Sequence, residues 1–465
     1  MQNEFPDELH APLKRVQAAF APTLFEELSR NWRDILVTHL QQVANRETPV
    51  LNWDLPPTNI ALARNLLETA DHPELDHSSI EQLTERFRQL CLTALSHGQN
   101  LHHPRYIGHQ VPASVPVAGL FDALGAVTNQ VMAVYEMGPW ATAVEAALIE
   151  KVGTQLGFQA GTFSGLVTHG GSLANLTALL TARNVMLENS WTKGVTSLSS
   201  PPVLVTHAAA HYGIARSAGI LGLGTDNIIK AKLDSRFRLD PQELDKLLSQ
   251  LKSENRTVMA VAACSCATPV GAFDPLEEIV AVCRDHQVWL HVDAAHGGAA
   301  AFSSRHRHLL KGIELADSVI CDAHKMMFVP ALSAFVFYRN REHRFQTFQQ
   351  SAPYLFDPSD PGMAEIDSGM RTIECTKRAA SFGLWGLWSL LGKEIFSDMV
   401  DITFELGKIL YHKLTTASDF EPLHEPECNI VAFRYLPEAM KQSSPADISR
   451  FQRSLRRKLI ESGRF

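Results

Sequence analysis

Three short segments carry residue types that could do chemistry at a buried site. Gly170-Gly171-Ser172 joins a strand-like run, Gly165-Leu-Val-Thr168, to a helix-like run from Ser172 to Asn184. Backbone N–H groups, a helix N-terminus and a hydroxyl at such a junction suit a phosphate, although two glycines also make an ordinary tight turn. His291-Val-Asp293-Ala-Ala-His296-Gly-Gly sets a carboxylate at the end of an apolar strand. A buried carboxylate needs a positive partner, and the small residues after it leave room for a flat group. Asp317-Ser-Val-Ile-Cys-Asp322-Ala-His324-Lys325 ends a third apolar strand in a lysine beside a histidine. An amine desolvated there has a lowered pKa and can form a Schiff base. Singly, the three have plain readings: a turn, a turn-capping Asp and a surface lysine.

Together they describe one site with a phosphate cradle, a carboxylate and an amine, each at a strand end. Pyridoxal 5'-phosphate needs that set: the carboxylate pairs with the pyridine nitrogen and the lysine carries the aldehyde carbon. His211, just after the strand ending at Thr206, is placed to stack on the ring.

The elements that must position these residues alternate from about 160 to 340. Strands are expected at 165–168, 203–206, 227–233, 257–265, 288–292, 318–321 and 333–338, with helices between them. Asp240-Pro241 reads as cap and first residue of a helix reaching about Leu251. Continuous apolar strands between helices predict a mostly parallel, doubly covered α/β sheet, with ligands beyond the strands' carboxyl ends. Residues 1–100 read as helices, notably Glu26–Leu40 and Ser79–Leu95, with Pro56, Pro57 and Pro73 breaking the stretch between them. Residues 342–370 are polar and irregular, the length of a functional loop. Helical pattern resumes over 377–391, 394–415 and 445–461, the last capped by Ser444 and ended by Gly463.

At 465 residues, with 45% hydrophobic and 20% charged residues, the chain has ordinary globular composition and suggests about three domains. A net charge of −8 gives no electrostatic footprint for nucleic acid or an anionic membrane. No uncharged apolar run reaches the roughly 18 residues of a membrane span, and the acidic N-terminus is no signal or transit peptide. Seven cysteines, mostly in apolar segments and without a Cys-x-x-Cys pair, suit reduced thiols in a cytoplasmic protein and no metal site. His306-Arg-His308 and His102-His103 read as solvated turns.

The motifs resemble the group II pyridoxal-phosphate-dependent amino-acid decarboxylases, closest to the glutamate, cysteine-sulfinate and aspartate branch. The likeness runs from about Leu95 onward. It rests on His103-Pro-Arg-Tyr106, Val134-Tyr-Glu-Met-Gly-Pro-Trp140, Gly170-Gly-Ser, Gly271-Ala-Phe-Asp-Pro275, His291-Val-Asp-Ala-Ala295, His324-Lys-Met-Met327, Tyr354-Leu-Phe356 and Asp367-Ser-Gly369. The resemblance implies fold type I, aspartate-aminotransferase-like: a mostly parallel sheet sandwiched by helices. It implies a helical dimerisation segment over 1–100, a large cofactor domain over 101–383 with a mobile catalytic loop at about 342–370, and a small C-terminal α/β domain over 384–465. Relatives continue beyond the last residue here, so that small domain is expected to be incomplete.

The implied activity is decarboxylation of an L-amino acid, an acidic one such as glutamate, aspartate or cysteine sulfinate being favoured, to the amine and CO2 through a Lys325 Schiff base. Alternatives within the fold are a decarboxylase of 2,4-diaminobutyrate or aromatic amino acids, another lyase or aminotransferase, or a silent cofactor-binding protein. The resemblance makes Lys325, Tyr354 and His211 catalytic. It makes Gly171, Ser172, His211, Thr268, Asp293, Ala295, His324 and Lys325 cofactor-binding, in a cytoplasmic homodimer. His109 stands where the glutamate branch has a glutamine that helps recognise the substrate. His296 replaces an aromatic, Asp322 an asparagine and Ala267 a threonine. The family's substrate-carboxylate arginine falls beyond Phe465. Arg371 and Lys377 are the cationic alternatives, with a surface position as their plain reading.

Overall fold

The computed structural model describes residues 6–68, 77–198, 200–348 and 366–465. The chain forms two compact units, Met1–His109 with Gln442–Phe465, and Gln110–Lys441. The expected boundaries at 100 and 383 do not coincide with this division.

The first unit is helical: His10–Ala19, Pro22–Ala44, Pro56–Glu68, His77–Ser96 and Pro445–Glu461. Pro22, Pro56 and Pro445 each open a helix, where the missing N–H is one the helix would leave unpaired anyway. Pro56 therefore starts a helix, where the sequence reading takes it as a breaker. Ser444 caps the last helix by accepting from the Asp447 N–H. The chain leaves that helix through Gly463 at φ +67°, whose carbonyl accepts from Val50 and Leu51. A β-carbon there would sit 2.4 Å from the Leu51 carbonyl oxygen, so only glycine allows this docking. That docking is why the last helix belongs with the N-terminal ones.

The second unit is built on a seven-stranded sheet: β1 (Ser164–Thr168), β2 (Val203–His207), β3 (Ile228–Ala231), β4 (Val258–Cys264), β5 (Trp289–Asp293), β6 (Ser318–Asp322) and β7 (Ala334–Tyr338). Their spatial order is β1-β7-β6-β5-β4-β2-β3. All neighbours are parallel except at β7, which runs antiparallel to both β1 and β6. The other six strands therefore point the same way, and their carboxyl ends share one edge.

Alternate residues pack on opposite faces. Val205, Val261, Val292, Val319, Phe335 and Phe337 face one core, with Val144, Leu148 and Val152 of the helix Pro139–Gln155. Leu204, Ala260, Ala262, Ile320, Val336 and Tyr338 face the other, with Ala174, Ala178 and Ala182 of the helix Gly171–Met186. The small residues of that helix let it lie close on the sheet. The helix expected over 377–391 begins only at Phe382; Lys377–Arg378 instead pairs with Val131–Met132.

Candidate active site

Five strand ends supply one cavity of about 250 Å³. β1 runs through His169 into Gly170 and Gly171, the start of the helix Gly171–Met186. Beyond β2, His211 caps the helix Tyr212–Ile220. β4 leads to Cys266, Ala267 and Thr268, β5 ends at Asp293, and β6 ends at Asp322 just before His324 and Lys325. Gly171, Ser172, His211, Thr268, Asp293, Ala295, His324 and Lys325 all line this cavity, so eight of the expected residues, spread over about 150 positions, meet there.

Their local geometry is specific. Gly170, at φ +107°, turns the chain from strand to helix, a conformation that favours glycine. The first N–H groups of that helix have no intrahelical acceptor. His211 Nδ1 accepts from the Gly213 N–H at 3.1 Å, so its ring proton sits on Nε2. Burial pulls His211 below the usual histidine range, as do Lys325 and Arg216, against the attraction of Asp293. Asp293 Oδ2 accepts from Asn175 Nδ2 at 2.9 Å and Oδ1 from the Ala295 N–H at 3.1 Å. Lys325 Nζ lies 3.4 Å from Asp322 Oδ2, and His324 Nε2 lies 3.7 Å from the same oxygen. Burial pushes Asp322 up to about 6 despite the opposing pull of Lys325 and His324.

Among the described residues, three buried polar atoms on residues lining this cavity have no hydrogen-bond partner: Asp322 Oδ1, His296 Nδ1 and His169 Nε2. Buried polar groups are nearly always paired, so orphans gathered around one cavity mark a place built for a polar ligand. His296 Nε2 lies 2.8 Å from Asn429 Oδ1, and the Asn429 amide nitrogen points to Met326 sulfur, so His296 donates there and its Nδ1 is a bare acceptor. Burial lowers His296 to about 4, so it is neutral. A helix N-terminus, a carboxylate with free lone pairs and an amine within one cavity fit the phosphate, ring nitrogen and aldehyde of pyridoxal phosphate. Asp322 is the one group of unfavourable sign for a phosphate.

The remaining candidates either line no part of this cavity or lie outside the described residues. His109 belongs to the first unit and is exposed there at φ +28°. Tyr354 lies outside the described residues. Arg371 donates to the Asp367 and Ile366 carbonyls and lines a second cavity, not this one. Lys377 is neither on the surface nor at the site. It is buried, with Nζ 2.7 and 2.8 Å from the Glu145 carboxylate oxygens and 2.5 Å from the Val167 carbonyl oxygen. His306 is buried against the Phe404 ring, 3.7 Å from Asp401, rather than solvated. His103 is buried too, its Nδ1 accepting from the Arg105 N–H.

Sequence reasoning missed Asn175, whose side chain holds Asp293, and His291 and Ser318 behind it. A signal was present: Trp289-Leu-His291-Val-Asp293 puts polar groups at every second position of a buried strand. His207, Cys264 and Asp274 also cluster. There, however, Asp274 Oδ1 and Oδ2 accept from the Leu239 and Cys264 N–H groups at 2.7 Å, and His207 Nε2 points to Oδ2 at 3.2 Å. The two backbone bonds to Asp274 brace the loops beyond β3 and β4, while His207 Nε2 makes no hydrogen bond among the described residues.

Comparison with known proteins agrees with this chemistry. The conserved domain of pyridoxal-dependent decarboxylases matches residues 64–436. Acidic amino acid decarboxylase GADL1 of Bos taurus is 32% identical over 359 residues, 77% of this chain and 68% of that protein. The crystal structure of mouse CSAD superposes with a TM-score of 0.83 at 27% identity, covering 96% of this chain and 91% of the other. The Oryza sativa TDC structure with PLP and tryptamine shares the fold at a TM-score of 0.84 and 19% identity, covering 96% and 90%. The chain thus belongs to the pyridoxal-dependent decarboxylase family and is a PLP-dependent amino-acid decarboxylase of fold type I.

Proposed function

We propose that this decarboxylase acts on an L-amino acid with an acidic side chain, releasing CO2 and the corresponding amine. The observation that carries the assignment of roles is the meeting of Lys325, Asp293 and the Gly171 helix start in one cavity. The acidic preference is supported by the 32% identity to an acidic amino acid decarboxylase. When bound, pyridoxal phosphate supplies a conjugated ring that takes up the electron pair left as the Cα–carboxylate bond breaks.

In this reading the chain's residues divide the work. The Gly171–Ser172 helix start and the His324 ring hold the phosphate. Asp293 accepts from the ring nitrogen, and the Ala295 methyl leaves one face flat. Thr268 closes the wall beside the ring. His211, its Nδ1 already occupied, offers its ring face and the Nε2 proton. Lys325 Nζ binds the cofactor and yields to the substrate amine. Tyr354 enters through its sequence motif alone, as the group that returns a proton to Cα. His109 remains a candidate for contact with the substrate side chain.

A homodimer is part of the proposal, supported by the exposed Phe20 and Leu67 on the helical unit, 85% and 80% accessible. A cytoplasmic setting is supported by seven free cysteines. No described helix is long and apolar enough to cross a membrane. CO2 release compared across glutamate, aspartate, cysteine sulfinate, 2,4-diaminobutyrate and aromatic amino acids tests the substrate. Release fastest from an acidic substrate is expected; release from the basic or aromatic ones alone overturns it. Sedimentation at micromolar concentration should give twice the chain mass, and a monomer overturns the dimer.

A further inference from the structure

Behind Asp293 runs an unbroken chain of buried hydrogen bonds. Trp289 Nε1 lies 2.9 Å from Ser318 Oγ, which lies 2.9 Å from His291 Nδ1. His291 Nε2 lies 2.7 Å from Asn175 Oδ1, and Asn175 Nδ2 lies 2.9 Å from Asp293 Oδ2. Trp289, His291, Ser318 and Asn175 are each at most 2% exposed. The residues come from three elements. Trp289, His291 and Asp293 share one face of β5, Ser318 pairs with His291 from β6, and Asn175 descends from the helix Gly171–Met186.

The carboxylate end and the neutral His291 ring settle the protons along the chain. An indole N–H can only donate, and an ionised carboxylate can only accept. The Asn175 amide donates to Asp293, so its carbonyl accepts the His291 Nε2 proton. The neutral His291 ring then has a bare Nδ1, so Ser318 donates its hydroxyl proton there and accepts from Trp289. All four bonds point toward the carboxylate, and aligned hydrogen bonds polarise one another in the same direction. Hydrogen bonds donated to a carboxylate favour its charged form. No member of the chain is a proton reservoir: burial pulls His291 well below the usual histidine range, and the other members do not titrate near neutrality.

We infer that Asn175, His291, Ser318 and Trp289 are positioning residues that act through Asp293 to keep the cofactor's ring nitrogen protonated. Their aligned donors hold the carboxylate as an acceptor, so the shared proton stays on the ring nitrogen rather than moving to Asp293. This rests on the proposed pairing of Asp293 with that nitrogen, and the experiment separates the two.

The full-length holoenzyme is loaded with pyridoxal phosphate labelled with ¹⁵N in the ring, and the nitrogen resonance is recorded alongside the cofactor dissociation constant and the melting temperature of the cofactor-free protein. Asn175→Leu should move the resonance toward that of unprotonated pyridine and weaken cofactor binding about tenfold. Ser318→Ala should do the same to a smaller extent. Trp289→Phe, four bonds away, should have the smallest effect. A resonance that stays at the wild-type value in both Asn175→Leu and Ser318→Ala, with only the melting temperature falling, overturns the inference and leaves the chain a packing device. If Asn175→Leu does not fold, Ser318→Ala decides by the same resonance. Asp293→Asn is the control: if it leaves the resonance unmoved, the pairing itself is wrong.

Discussion

The carboxylate of Asp322 lies against the backbone of Gly171: a β-carbon on Gly171 would sit 2.7 Å from Oδ2 and 3.0 Å from Oδ1. The carboxylate therefore stands beside the helix start that the cofactor phosphate is proposed to use. Two negative groups there repel each other unless one carries a proton. Asp322→Asn should bind pyridoxal phosphate about three- to tenfold more tightly at pH 8, about 1 kcal/mol. Because burial raises Asp322 to about 6, the wild-type carboxyl is itself protonated at pH 5, and the gap should narrow there. Fluorescence titration of the cofactor-free protein measures both. Weaker binding by the variant at pH 8 would refute the placement of the phosphate. Gly171→Ala should lose cofactor, since the new methyl group collides with the buried Asp322 carboxylate and shifts the helix start that holds the phosphate.

Lys325→Ala should abolish the absorbance of protein-bound pyridoxal phosphate above 400 nm, roughly, because no amine remains to carry it. Tyr354→Phe should slow amine formation by about a hundredfold and leave that absorbance intact, the range for loss of one general acid. Loss of cofactor from the Tyr354 variant would mean that its assigned role is wrong.

Lys377 and Glu145 make a buried ion pair, 1% and 6% accessible at their side chains, in the core between the helix Pro139–Gln155 and β1. Removing one partner strands a charge. Lys377→Met should destabilise by roughly 3–5 kcal/mol, read from the urea midpoint. The double variant Lys377→Met with Glu145→Leu should recover much of that. The substrate KM of folded Lys377→Met should be unchanged. A raised KM at unchanged stability would return Lys377 to the substrate site.

His296 gives a pH prediction with a definite sign. Its pKa falls from 6.5 in a free chain to about 4 in the fold, so the unfolded chain binds the extra proton first. Its contribution to stability is present above about pH 6.5 and is lost as pH falls toward 4, in total about 3 kcal/mol. Comparing urea unfolding at pH 7 and pH 4.5, His296→Gln should lose less stability than the wild type. An equal loss would show that the imidazole is not held neutral.

Much of this was legible in the sequence because strand ends announce themselves. An apolar run that stops at a carboxylate or a Gly-Gly pair marks the sheet edge, and those edges carry Gly171, Asp293 and Lys325. What stayed hidden lay across layers. Asn175 meets His291 over 116 positions, and Lys377 meets Glu145 over 232. No local pattern encodes such pairings, so a lysine beside a polar loop reads as exposed although it fills a core. Pro56 misled for the opposite reason. Proline both breaks and begins helices, and only the residues after it decide which.

The reversed strand β7 fixes when the site can exist. Among the described strands β1, which leads to the phosphate cradle, pairs only with β7, and β7 in turn joins it to β6, which leads to Lys325. β7 is the last strand of the sheet to be synthesised. Until residues 334–338 have left the ribosome and entered between their neighbours, the strand that leads to the phosphate cradle has no partner in the described sheet. A complete sheet edge at the cofactor site is thereby expected only once β7 is in place, and bound pyridoxal phosphate stabilises that finished sheet by mass action.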